Sequence, residues 1–237
     1  MNTILFDLDG TLLPMDAQEF EKTYFGLLSK NFLDLHSPKE FVSIVWTATK
    51  EMVLNTELKT NETVFLEAMQ KQVNSNNIKE YHDRFLKFYH HEFDLVQSAV
   101  KPTVIIPEVI QLLKKKGYTL VVATNPMFPK VAIEKRIRWA GLHVEDFEYV
   151  TSFEKNHYCK PQVEFYEEIC QMISKQPHEC LMVGNDTLED LVASTIGMKT
   201  YLIDDFAIVH PNAIDPTYRG SYQDFLSFVQ ALPEVTG

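Results

Sequence analysis

Cysteine, positive charge and long apolar runs are all scarce in this chain of 237 residues. The only cysteines are Cys159, Cys170 and Cys180. No two form a CxxC pair and their number is odd. A disulfide framework and a cysteine-based zinc site are therefore not expected, and a reducing compartment is. No stretch nears the roughly 20 apolar residues that a membrane helix requires. Met1-Asn2-Thr3 runs straight into strand-like residues, without the basic start and longer apolar run of a secretory signal, so the expected location is cytoplasmic. Lys and Arg number 22 against 33 Asp and Glu, a formal net charge of −11. Nucleic acid and anionic lipid surfaces repel such a chain and are not expected as partners. A small anionic substrate held by a few local cations remains compatible with it. The rest of the composition, 45% hydrophobic and 23% charged, is that of a globular protein. The length allows one large domain or a domain carrying a sizeable insertion.

Short β-rich runs recur along the chain: Thr3 to Leu8, Thr119 to Thr124, Cys180 to Gly184 and Thr200 to Ile203, with Tyr149 to Thr151 a weaker fifth. They are apolar without alternation, as befits strands covered on both faces. Helical patterns lie between them. Pro107 opens one that ends at Lys116-Gly117, a second runs from about Lys130 to Ala140, and a third spans about Val163 to Ser174. Alternation of this kind predicts an open α/β fold with a parallel sheet. Residues 16–100 read differently. Three aromatic-rich stripes recur there at helical spacing, through Phe20 and Tyr24, through Phe41 and Met52, and through Tyr81 and Phe88. Ser37 to Glu40 and Asn77 to Glu80 look like capping boxes. This stretch is therefore expected to be a helical insertion between the first and second strands.

The first strand runs into Asp7-Leu8-Asp9-Gly10-Thr11. Ligands of open α/β sheets bind beyond the carboxyl ends of the strands. Two aspartates two apart on extended chain point the same way, and like charges so close call for a cation or a shared proton. The second strand ends in Thr124-Asn125, the fourth in Gly184-Asn185-Asp186 with Asp190 beyond, and Lys160-Pro161 precedes the helix leading to the fourth. Asp186 to Glu189 also reads as a capping box. If Asp7, Asp9, Asp186 and Asp190 converge with Lys160, a divalent oxygen-seeking cation such as Mg2+ brings their net charge to −1.

These motifs, in this order, resemble the haloacid dehalogenase superfamily, and within it the phosphatases. The resemblance implies a Rossmann-like parallel sheet with the first strand central, formed by residues 1–15 and 101–237, and an inserted α-helical cap at 16–100. It implies Mg2+ as cofactor and a small phosphorylated metabolite as substrate. Asp7 would be nucleophile and metal ligand. Asp9 would be the acid and base, with its carbonyl on the metal. Thr124 and Asn125 would hold phosphoryl oxygens, helped by the backbone around Gly10 and Thr11. Lys160 would neutralise charge on the nucleophile and the phosphate, Asp186 would bind the metal, and Asp190 would support it or orient Lys160. A one-residue shift would put Asn185 at the metal position instead. Asp9, which the family's dehalogenases lack, favours phosphoryl transfer over dehalogenation. A sugar phosphomutase, a phosphonate-cleaving enzyme using a cap lysine such as Lys22, Lys30, Lys39 or Lys50, and a non-catalytic scaffold are the alternatives. Met15, Phe20, Tyr24, Trp46 and Lys50 are candidates to face a substrate, as are Pro126 to Lys130 and His157. His90 and His91 read as structural.

Overall fold

The computed structural model describes residues 1–73 and 77–235. Residues 74–76 of the helical stretch and 236–237 at the C-terminus lie outside the described part. Strands β1 (Thr3–Phe6), β2 (Thr119–Val122), β3 (Tyr149–Val150), β4 (Cys180–Gly184), β5 (Lys199–Ile203) and β6 (Tyr218–Gly220) form one sheet in the order β3-β2-β1-β4-β5-β6. Every neighbouring pair is parallel, and Leu5 stands in register with Val121 on one side and Met182 on the other. The central place of β1 follows the resemblance. The strand β6 was not expected, because three residues ending in glycine carry too little pattern to read.

The unalternating apolar runs have their cause in two covered faces. Ile4, Phe6, Val122 and Val183 join one apolar core, while Leu5, Val121, Cys180 and Met182 join another on the opposite face. Among the described helices, α5 (Ile105–Lys115), α6 (Lys130–Trp139) and α8 (Tyr222–Ala231) pack into the first core through Val109, Ile133 and Phe225. Helix α7 (Val163–Met172) fills the second through Phe165 and Ile169. Pro107 sits inside the first turn of α5 rather than opening it, since the helix already starts at Ile105.

The chain between β1 and α5 contains α1 (Ala17–Leu28), α2 (Pro38–Val53), α3 (Asn61–Val73) and α4 (Ile78–His91), with short 3-10 turns and no strand among the described residues. Asp16 caps α1 by accepting from the amides of Gln18 and Glu19, and Ser37 caps α2 through Glu40. The expected Asn77 box takes another form: its side-chain amide donates to Glu80 Oε2 at 3.0 Å instead of capping the backbone. The aromatic stripes pack on one another. Phe32 stacks on Phe41 at 4.2 Å between centroids and meets Phe85 at 5.1 Å. At the base of this helical stretch its two ends touch. Met15 bridges Val100, and the Lys101 amide donates to the Pro14 carbonyl at 2.8 Å. No helix among the described residues is long and apolar enough to cross a membrane. All three cysteines are free and buried.

Candidate active site

The central strand brings Asp7 to the carboxyl edge of the sheet, where its amide still donates to the Val183 carbonyl at 2.9 Å. Extension stops there. The amides of Thr11 and Leu13 both turn back to the Leu8 carbonyl, at 3.2 and 2.8 Å. Gly10 makes this turn with φ +82°, and a Cβ on it would overlap the Asn185 side chain. The expectation that Asp7 and Asp9 share one face of an extended chain is therefore corrected. They reach the same cavity through a turn. The Gly10 amide is bonded to Leu13 and the Thr11 amide to Leu8, so neither is left for a phosphate. The Leu8 and Asp9 amides carry no hydrogen bond among the described residues.

Lys160 is completely buried, and its Nζ donates to Asp7 Oδ1 at 2.8 Å and Asp190 Oδ1 at 2.6 Å. The other Asp190 oxygen accepts from the amides of Asn185 and Asp186, each at 2.9 Å. Asp190 thus ties the end of β4 to Lys160. Gly184 has no room for a Cβ because the Asp190 side chain lies against it. Burial pushes the Asp7 carboxyl up to about 8; Lys160 opposes this, while Asp190 and Asp9 add to it. Burial alone would pull the Lys160 amine down, but Asp190 and Asp7 outweigh it and hold the amine well above its ordinary value.

Asp9 has a partner that the sequence reading missed. Its Oδ2 accepts from Arg136 Nη1, and that guanidinium is completely buried, 4.4 Å from the centroid of the Phe128 ring. The available signal was an arginine inside the apolar stripe Ala132, Ile133, Ile137 of α6. Asp9 Oδ1 and Arg136 Nη2 are buried without a partner among the described residues.

Several expected phosphate contacts have other work. Asn125 Oδ1 accepts from the Lys160 amide at 3.2 Å and its Nδ2 donates to Glu189 Oε2 at 3.1 Å, so it braces two loops rather than offering a free amide to a phosphate. The Thr11 hydroxyl donates to Asn185 Oδ1 at 3.1 Å and turns from the cavity. Asn185 also donates to the Phe206 carbonyl at 2.8 Å, so its amide is committed at both ends and the neighbouring carboxylate is the better donor for a cation. Asp186 Oδ1 accepts from the amides of Leu188 and Glu189, which is the capping geometry, and its Oδ2 lies 3.1 Å from His210 Nε2. Thr124 remains in the cavity wall. Glu189, read from the sequence only as the end of a capping box, lines the cavity, and burial pushes its carboxyl up to about 7.

Asp7, Asp9, Thr124, Asp186, Glu189 and Asp190 line one cavity of about 570 Å³. A second, of about 240 Å³, lies between the sheet and the helices and shares Asp9, Met15, Ala17, Met127 and Phe128 with the first. Phe20, Tyr24, Trp46 and Pro129 line this chamber as expected; Lys50, Pro126, Lys130 and His157 do not. His157 pairs instead with Glu168, Nδ1 to Oε1 at 2.5 Å. His90 and His91 line neither cavity.

No three His, Cys, Asp or Glu side chains among the described residues are drawn together as a ready-made metal cluster. The donor set is nonetheless all oxygen, the kind Mg2+ takes. Burial is the main cause of the upward shift of Asp7 and Lys160 offsets it only in part, so a further cation beside it would favour the ionised carboxylate. The residues present thus fit a hard divalent cation in chemistry, with Asp186 held back by its turn and by His210.

Known proteins give the same picture. A family model described as haloacid dehalogenase-like hydrolase matches residues 1–193. Pyrophosphatase PpaX of Bacillus cereus (strain Q1) is 22% identical over 200 residues, covering 84% of this chain and 82% of that protein. The crystal structure of a HAD phosphatase from Thermococcus onnurineus superposes with a TM-score of 0.63 at 17% identity, covering 99% of this chain and 100% of that one. The L-2-haloacid dehalogenase of Xanthobacter autotrophicus, with chloropropionic acid covalently bound, superposes with a TM-score of 0.59 at 13% identity, covering 98% and 99%. With the motif order, the central β1 and the matched 193 residues in agreement, the chain belongs to the haloacid dehalogenase-like hydrolases.

Proposed function

We propose that the protein is a Mg2+-dependent phosphatase that hydrolyses a small phosphomonoester through an aspartyl phosphate. The observation that carries this reading is the Lys160–Asp7 pair at 2.8 Å, at the end of the central strand, with Asp7 lining a cavity that Asp9 also lines. In this reading residues 16–100 are the cap and residues 1–15 and 101–237 the catalytic domain.

Asp7 presents the oxygen that attacks phosphorus, and Lys160 steadies it while its own second partner, Asp190, fixes the ammonium in place. The free amides of Leu8 and Asp9, together with Thr124, face the charge that builds on the phosphoryl oxygens. Asp9 lines both cavities, so its carboxyl is beside the ester oxygen of a substrate that reaches from one to the other. In its protonated form it gives that oxygen a proton, is left as the carboxylate that Arg136 holds, and afterwards takes a proton back from the water that hydrolyses the acyl phosphate. Mg2+, held by Asp7, the Asp9 carbonyl and Asp186, would offset the phosphoryl charge. A sugar phosphomutase would need polar side chains for hydroxyls and a cationic seat for a second phosphate, and among the described residues no Lys or Arg lines either cavity. A scaffold would have no need of a buried lysine between two carboxylates.

The test is phosphate release from an aryl phosphate with and without Mg2+. Release is expected only with the metal, and Asp7→Asn is expected to reduce it by about 10³-fold or more while the circular dichroism spectrum stays unchanged. Undiminished release by that variant would overturn the covalent route.

A further inference from the structure

We infer that the substrate's leaving group is an apolar, ring-bearing alcohol that carries no second anionic group, and that the chamber beyond Asp9 receives it. The inference rests on the phosphatase reading, because the orientation of the substrate comes from Asp7 and Asp9. With phosphorus at Asp7 and the ester oxygen at Asp9, the rest of the substrate passes Met127 and Phe128, which line both cavities. The chamber it enters has about 240 Å³ of space and is walled by rings, among them Phe20, Tyr24, Phe65, Phe85 and Phe153. Rings of this kind bind another ring through dispersion, edge-to-face contact and release of water.

Charge excludes the alternatives. Besides the Tyr24 and Tyr89 hydroxyls, the ionisable groups of the chamber are Asp9, Glu21, Glu62 and His82, and among the described residues none is Lys or Arg. Both nearby cations are committed elsewhere. Arg136 is bound to Asp9 and lines neither cavity, and Lys160 lies between Asp7 and Asp190. A leaving group that is itself a phosphate or carboxylate would be buried beside carboxylates without a counter-charge, which is strongly unfavourable. A sugar would bring several hydroxyls to a wall made mostly of rings, where polar side chains pair with each other, His82 Nε2 with Glu62 Oε1 at 3.1 Å and the Tyr24 and Tyr89 hydroxyls at 2.6 Å. The first of these pairs suits a single hydroxyl or ring nitrogen. The chamber therefore departs from what the name pyrophosphatase implies for the substrate of the Bacillus cereus relative.

The experiment compares kcat/KM, in Mg2+, for 2-naphthylmethyl phosphate, ethyl phosphate, phosphoglycolate, glucose 6-phosphate and pyrophosphate. The two alkyl esters have comparably basic leaving alcohols, so chemical reactivity does not bias their ratio. The naphthylmethyl ester is expected to exceed each of the others by about tenfold or more, mainly in KM. A Leu66→Lys variant, which puts a cation into the chamber, is expected to lower the ratio of the naphthylmethyl ester to phosphoglycolate by about tenfold. Binding of 2-naphthylmethanol, followed by isothermal titration calorimetry, reads the same site without turnover and does not depend on the variant folding. If no ester is hydrolysed, the phosphatase reading falls, and the alcohol titration still decides the chamber. If ethyl phosphate is hydrolysed but pyrophosphate or phosphoglycolate is preferred, the leaving-group inference falls and the phosphatase reading stands. Absence of naphthylmethanol binding at millimolar concentration also overturns the inference.

Discussion

Asp9 and Arg136 form an ion pair of unequal partners. The Arg136 side chain is 0% exposed and that of Asp9 is 32% exposed. Removing one partner therefore differs from removing the other. Asp9→Ala leaves a guanidinium with no water and no counterion, and is expected to cost about 3–5 kcal/mol of folding stability. Arg136→Met leaves a carboxylate that still reaches solvent, and fills the space with an apolar chain of similar length, so its cost is expected to be smaller. Urea unfolding of both variants checks the order. The reverse order would mean that Asp9 is not the group compensating Arg136. Turnover should separate the two further, since the Arg136 variant keeps the proposed acid and loses only the group that holds it.

The strands and helices of the sheet domain were legible because both their faces are buried, and an uninterrupted apolar run such as Leu181-Met182-Val183 has no other use. Helix α3 was not, because its apolar residues Phe65, Ala68 and Met69 are few among polar neighbours. The carboxylates of the site were legible as a motif at strand ends. Lys160 was legible with them, but two other partners were not: Arg136 comes from a helix and His210 from a long connection, and no spacing links either to Asp9 or Asp186. The end of β4 gives a prediction at this scale. Gly184→Ala would push a methyl into the Asp190 side chain, whose two oxygens are already bonded to Lys160, Asn185 and Asp186. The expected result is a loss of about 1–3 kcal/mol, with a fall in turnover beyond what the melting curve explains, because Lys160 loses its fixed position. A variant of full activity would show that Lys160 does not depend on Asp190.

For the molecule as a whole, the raised Asp7 carboxyl couples stability to pH. A carboxyl at about 8 in the folded chain against 3.8 when exposed keeps its proton in the fold while the unfolded chain has lost it. Between those values the folded state binds more protons, so metal-free stability is expected to fall as pH rises from about 5 to 8. A cation that binds the ionised form acts in the other direction, so Mg2+ is expected to raise the melting temperature more at pH 8 than at pH 5. Thermal melts at both values, with chelator and with Mg2+, check this. In Asp7→Asn the metal-free slope should flatten and the Mg2+ increment should shrink. An equal increment at both pH values would remove Asp7 from the cation's ligands.

The joined ends of the helical stretch, Met15 against Val100 and Pro14 against Lys101, bear on how such a protein diversifies. A loop whose feet stand side by side can be traded for another of any length without prising apart the strands that flank it. Asp7, Asp9, Lys160 and Asp190 all lie outside that loop, whereas Phe20, Tyr24, Phe65 and Phe85 lie within it. In the proposed reading the reactive side chains and many of the chamber's rings therefore sit on separate parts of one gene, and a transplanted loop would carry a new appetite to an old reaction centre.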